Sequence, residues 1–121
     1  MKLYLSHSSG YDYKTELYEP LKAAFSNEQE LFLPHESHAD GINTKDVIPD
    51  CDLILAEVSL PSTGQGIELG WADVHSVPIV CFYRTDSTPS SALRFISNSM
   101  VEYSSTDDMI GKLKTEIEKF V

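Results

Sequence analysis

Short apolar runs alternate along the chain with stretches whose apolar residues recur every three or four positions, the pattern of a parallel sheet covered by helices. The runs "KLYLSH", "ELFLPH", "DLILAEV", "VPIVCFY" and "MVEY" predict five strands. Pro34 ends the second, and the unbroken Leu53-Ile54-Leu55 suits a third strand buried on both faces. After the first strand, Asp12 is placed to cap a helix carrying Leu17, Leu21, Ala24 and Phe25. Pro20 has no N–H to donate, so it must either kink that helix or lie near its start. "NTKDVIPDC" allows at most a short helix, stopped by Pro49. "QGIELGWADVH" reads as a second full helix and "SSALRFIS" as a short one. A last helix starts near Thr106, with Asp107 and Asp108 in its first turn and Ile110, Leu113, Ile117 and Phe120 as its buried stripe.

Strands and helices in this order, joined by short crossovers, predict an α/β fold of the flavodoxin-like kind: three layers, α/β/α, on a five-stranded parallel sheet of order 2-1-3-4-5. No repeat, low-complexity tract or linker interrupts the pattern, so residues 1–121 read as one domain. In that order the loops after strands one and three diverge from each other, and ligands of open α/β sheets bind at such a point, beyond the carboxyl ends of the strands. "SHSSGYD" (Ser6 to Asp12) and "SLPSTGQG" (Ser59 to Gly66) are thereby expected around one crevice, with "PHESHADGIN" nearby.

The chain's 41% hydrophobic and 23% charged residues are ordinary for a globular protein, but its net charge of −10 narrows its partners. With no lysine or arginine cluster, binding along a DNA or RNA polymer is not expected. A small anionic ligand held by backbone N–H groups stays open. No apolar run approaches a membrane span, and the N-terminal apolar segment is too short for a signal peptide. Cys51 and Cys81 lie in or beside apolar runs and read as buried reduced thiols rather than a disulfide or metal pair. A cytoplasmic protein is expected.

Four features could carry chemistry. Ser62 followed by Gln65 fits a capping box, which starts a helix near Thr63 and puts Glu68 at the first or second turn on the crevice side. Position alone explains Glu68 adequately, because an acid near a helix N-terminus is stabilised by about 0.3–1 kcal/mol. The same field also suits a nucleophile that must stay deprotonated, and Gly64 and Gly66 permit close approach of a ligand. Glu57, inside the third strand, is costly to bury unpaired and reads as structural or supporting. The loop Ser6-His7-Ser8-Ser9-Gly10 offers hydroxyls, an imidazole and a glycine; it could hold a phosphate or be an ordinary serine-rich turn, and it has no Walker or GxGxxG spacing. His35-Glu36-Ser37-His38, with Asp40 close by, does not have the HExxH order of zinc hydrolases, so no metal is expected, though His35 could line the crevice. No cofactor is implied.

The stretch "DLILAEVSLPSTGQGIELGWA" resembles the central signature of the nucleoside 2-deoxyribosyltransferase superfamily, within it the 2'-deoxynucleoside 5'-monophosphate N-glycosidase branch. The matched positions are Asp52, Ala56-Glu57-Val58, Pro61-Ser62, Gly64, Gly66 and Glu68-Leu69-Gly70, without a gap. "LYLSHSSG", "LPHE" and "CFYRTDSTPSSAL" extend the likeness over most of the chain. The resemblance implies glycosyl transfer at C1' of a deoxyribose, with Glu68 as nucleophile and a covalent glycosyl-enzyme that water hydrolyses or a second base captures. It also implies that the first-loop serines and Ser62 hold the sugar or 5'-phosphate, that Ser91 reaches a neighbouring subunit's site, and that the protein is a homodimer. The family's second carboxylate, an aspartate that assists leaving-group protonation, aligns here with Thr44 in "GINTKD". Asp46, Asp40 and Glu36 are the nearest acids, and Asp46 is the expected replacement.

Two other readings compete with an N-glycosidase or deoxyribosyltransferase acting on nucleosides or their monophosphates. The missing aspartate motivates a binding or regulatory module that keeps the crevice without catalysis. "LSHSSGYD" is similar to the opening of TIR domains, some of which cleave the glycosidic bond of NAD with a glutamate, but that likeness stops at the first loop.

Overall fold

The computed structural model describes residues 1–36 and 43–121. Five strands form one parallel sheet: β1 (Lys2–His7), β2 (Glu30–Phe32), β3 (Leu53–Glu57), β4 (Ile79–Arg84) and β5 (Ser99–Tyr103). Their order is β2-β1-β3-β4-β5, the expected flavodoxin-like arrangement. β1 and β3 pair in a register that sets Tyr4 beside Ile54, Ser6 beside Ala56 and His7 beside Glu57. The main-chain N–H of Lys2 donates to Asp52 Oδ2 at 2.7 Å, which fastens the start of β3 to β1. β2 is shorter than "ELFLPH" suggested, because pairing with β1 covers only Glu30 to Phe32.

Side chains alternate across each strand, so β1 and β3 feed two separate cores. Leu3, Leu5, Leu53 and Leu55 point to one face and pack with Leu21 and Phe25 of α1 (Glu19–Phe25) and Leu113 and Ile117 of α3 (Thr106–Glu118). Tyr4, Ile54 and Ala56 point to the other, against Leu69 and Ala72 of α2 (Thr63–Val74) and Ile48. α2 is thus the long helix on the face that carries Tyr4 and Ser6, with the short turn of Ile48 beside it.

Pro20 is accommodated without a break. A wide π turn, Lys14–Tyr18, runs directly into α1, and Pro20, which has no N–H to donate, stands within the first two residues of α1. Asp12 caps this segment as expected, accepting the Thr15 N–H at 3.4 Å. "NTKDVIPDC" forms two 3₁₀ turns, Thr44–Asp46 and Ile48–Asp50, and "SSALRFIS" a third, Ser91–Phe95. The buried line of α3 is Met109, Leu113 and Ile117, spaced by four, while Ile110 and Phe120 flank it half-buried. Cys51 and Cys81 are free, buried thiols, and burial pushes them up to about 11 and about 12. Among the described residues, no helix is long and apolar enough to cross a membrane.

Candidate active site

The site forms where β1 and β3 end and their following loops part. Ser62 is extended and caps α2, its Oγ accepting the Gln65 N–H at 3.4 Å. Only half of the expected capping box forms, because the Gln65 amide donates instead to the Glu57 carbonyl at 2.8 Å. That bond ties the helix start to the end of β3. Glu68 is the sixth residue of α2, and the first turn contains no acid. The dipole field falls off within the first turn, so it explains Glu68 less well than its sequence position suggested.

Three hydroxyls hold the Glu68 carboxylate. Ser6 Oγ donates to Oε1 at 3.1 Å, Thr44 Oγ1 donates to Oε2 at 3.0 Å, and the Tyr4 hydroxyl donates to Oε2 in a short hydrogen bond. Tyr4 and Ser6 are two apart on β1, so both face α2. Thr44 arrives on its 3₁₀ turn, which Asn43 caps by accepting the Lys45 N–H at 3.1 Å. Tyr4 is fully buried; burial first, and the Glu68 charge second, hold its hydroxyl far above the usual tyrosine range. Tyr4 therefore keeps its proton and acts as a donor. A carboxylate offers about four acceptor positions, and three are taken, so its orientation is fixed while capacity remains for a ligand.

Glu68 lines a cavity of about 390 Å³. Pro34, Ile67 and Trp71 give it apolar walls, and His7, Ser9, His35, Ser62 and Gly64 give it polar ones. Among the described residues no lysine, arginine or second carboxylate lines it. His7 is locked: Nδ1 lies 2.8 Å from the Ser8 carbonyl, which can only accept, so Nδ1 carries the proton and Nε2 accepts from the Tyr18 hydroxyl at 2.6 Å. Tyr18 in turn accepts the His35 N–H at 3.1 Å. Burial pushes His7 down to about 4; the neighbouring His35 adds to the shift, and the Ser8 carbonyl opposes it. The His35 ring meets the His7 ring edge-on, 5.2 Å between centroids, and its nitrogens have no hydrogen bond among the described residues.

Of the residues singled out in the sequence, the structure brings Glu68, Ser6, His7, Ser9, His35, Ser62 and Gly64 to this site. Ser8 is turned inward, its Oγ accepting the Gly10 N–H at 3.1 Å, and neither Ser8 nor Gly10 lines the cavity. Gly66 faces a neighbouring cavity of about 490 Å³ between the Pro61 and Leu93 loops. Ser91 is exposed and lines neither cavity. Asp46 is also exposed and off the cavity wall, because the turn that inserts Thr44 directs the residue two positions on towards solvent. Glu36 pairs with Lys22 at 2.7 Å on the surface, while His38 and Asp40 lie outside the described residues.

Glu57 is structural. It is buried and accepts the Ser59 N–H at 2.6 Å, the Ser59 hydroxyl at 3.0 Å and the Tyr103 hydroxyl. Sequence reasoning missed Tyr4, although a tyrosine two positions before a serine in an otherwise aliphatic strand was a usable signal. It also missed Trp71, which is one turn beyond Glu68, and the hydroxyl role of Thr44.

A hydroxyl-held glutamate thus lines a cavity at the switch point of a flavodoxin-like sheet, the candidate site for a small molecule. No protein-family model matches the chain. Two curated relatives match part of it, each named "Putative 2'-deoxynucleoside 5'-phosphate N-hydrolase 1". The one from Syntrophotalea carbinolica is 41% identical over 49 residues, 40% of this chain and 34% of that protein. The one from Methanosarcina barkeri is 42% identical over 40 residues, 33% of this chain and 25% of that protein. The matches thus span about a third and a quarter of the relatives' lengths. Among solved structures, Clostridium botulinum CMP N-glycosidase, BcmB, superposes with a TM-score of 0.70 at 21% identity, covering 94% of this chain and 99% of that one. A conserved protein from Enterococcus faecalis superposes with a TM-score of 0.66 at 18% identity, covering 96% and 98%. The two sequence relatives thus resemble part of this chain, and the two solved structures share its fold nearly end to end.

Proposed function

We infer that the protein cleaves the N-glycosidic bond of nucleosides or nucleoside 5'-monophosphates, with Glu68 as the nucleophile. The observation that carries this reading is the Glu68 carboxylate itself, oriented by Tyr4, Ser6 and Thr44 and open to a cavity at the sheet's switch point. The names of the sequence relatives and of the structural neighbour support the same reaction class.

In the first step a Glu68 oxygen bonds to C1' as the C1'–N bond breaks, and the bonding electrons leave with the base. In the second, water bonds to C1' and the C1'–O bond to Glu68 breaks, which returns the carboxylate. Capture by a second base instead of water would make the reaction a transfer. Ser9, Ser62 and the backbone N–H groups near Gly64 at the start of α2 suit the sugar or a 5'-phosphate. The departing base needs a proton, and Thr44 cannot supply one as a carboxylic acid does. Asp46 is exposed and His7 has both nitrogens engaged, so among the described residues His35 is the candidate proton carrier. As imidazolium it gives its proton to the leaving base, and as imidazole it takes one from the attacking water. Exposed Ser91 suits contact with a second copy in a homodimer, and the same reading makes the chain one cytoplasmic domain.

A panel of nucleosides, nucleotides and NAD, with and without an acceptor base and monitored for free base, tests the activity. Release from none of them would reject it. His35→Gln is expected to lower release by about 10²-fold or more for a base that must be protonated, and far less for a 7-methylguanine nucleoside, whose base leaves neutral. Equal losses on both substrates would remove His35 from the proton step. The replaced aspartate favours one second reading, a nucleotide-binding module without turnover, for which ligands would stabilise the fold and no base would be released.

A further inference from the structure

Resting on the reading of the cavity as a nucleoside site, the disposition of α2 along it also sets which way a nucleoside lies. Gly64, Ile67, Glu68 and Trp71 recur at helical spacing and share the face of α2 that walls the cavity. The helix rises about 1.5 Å per residue, so Trp71 lies about 4.5 Å beyond Glu68 along its axis, and Gly64 about 6 Å before it. The two directions differ in chemistry. Towards Gly64 the wall is made of hydroxyl and backbone N–H groups at Ser9 and Ser62. Towards Trp71 it is the indole itself, half-buried and packed on the core that includes Leu69 and Ala72.

We propose that Trp71 is the base-stacking platform of this site and that the nucleoside lies along α2, base over Trp71, C1' at Glu68 and 5' end towards Ser62. An aromatic base has an apolar π-face that gains from an indole, whereas a sugar or phosphate gains from the hydroxyl and N–H end. Core packing anchors the indole, so little side-chain freedom is lost when a base lands on it. Asn43 lines the same cavity, where an amide can address a base edge.

Trp71 is the chain's single tryptophan, so its emission reports this subsite alone. The wild-type protein is titrated separately with adenine, guanine, cytosine, thymine, uracil and 2-deoxyribose 5-phosphate. Saturable quenching by at least one base at concentrations up to about 1 mM, with unchanged emission in the sugar phosphate, supports the platform. Quenching by no base, or equal quenching by the sugar phosphate, overturns it. Trp71→Phe keeps an aromatic face and is expected to stay within about threefold of wild-type KM, whereas Trp71→Ala raises KM about tenfold or more. Thermal melts of both variants show whether the fold survives. An unchanged KM in a folded Trp71→Ala protein overturns the proposal. Base release without base quenching removes the platform and leaves the glycosidase reading standing. Base quenching without base release rejects the glycosidase reading and supports the platform.

Discussion

Acidification should weaken this protein through His7 well before its carboxylates titrate. The imidazole is buried between the Tyr18 hydroxyl and the Ser8 carbonyl and is pushed down to about 4 from 6.5. At pH 7 the folded and unfolded chains both carry His7 neutral, so its contribution is fully present. As pH falls below 6.5 the unfolded chain takes up a proton that the folded chain refuses, and stability is lost progressively until about pH 4. The full gap corresponds to about 3 kcal/mol, of which about 2 kcal/mol is lost between pH 7 and pH 5. With a urea dependence of about 1–3 kcal/mol per molar, that is a fall of roughly 1 M in midpoint. Urea melts followed by far-ultraviolet circular dichroism at pH 7, 6 and 5 measure it. His7→Gln keeps an acceptor for Tyr18 and cannot titrate, so its midpoints should fall by about 2 kcal/mol less over the same range. The variant shares His35, His38 and His75 with the wild type, which cancels their effects. Parallel losses in the two proteins would refute the argument.

Tyr4→Phe removes a buried donor from Glu68 at nearly constant volume and should cost about 1.5–3 kcal/mol in a denaturant melt, with kcat reduced because the carboxylate loses an orienting bond. Tyr103→Phe leaves buried Glu57 with two of its three donors; a similar loss of stability should come with an unchanged KM for substrate, and a shifted KM would contradict the structural role of Glu57. Gly64→Ala meets no atom within 4 Å of the new methyl and sits in the first turn of α2. It should stabilise the fold by about 0.5 kcal/mol and raise KM by narrowing the cavity, which a melt and a Michaelis curve separate.

The layers of this fold were legible because they depend on local periodicity. The run Leu53-Ile54-Leu55 suited a strand covered on both sides, and Ser62 followed by Gln65 fitted the start of a helix. What escaped depends on pairings between distant positions. Tyr4 and Glu68 are 64 residues apart, and Glu57 and Tyr103 are 46 apart; no spacing rule joins them. Met109 replaced Ile110 at the centre of the α3 stripe because the packed line follows a four-residue step from Leu113 and Ile117. The site was partly readable for the same reason. Glu68 was legible as a crevice residue because its motif is contiguous, whereas nothing local shows that the three-residue 3₁₀ turn puts Thr44 rather than Asp46 on the cavity wall.

Nucleophilic catalysis by Glu68 requires a bond from its carboxylate to C1'. Intact-mass and peptide mass spectrometry of the protein quenched in acid during turnover, with nucleoside or nucleoside monophosphate substrates, tests that directly. A glycosyl adduct is expected on the peptide carrying Glu68, absent in a folded Glu68→Gln variant that also releases no base. Base release that persists in Glu68→Gln, or an adduct on another residue, would contradict it.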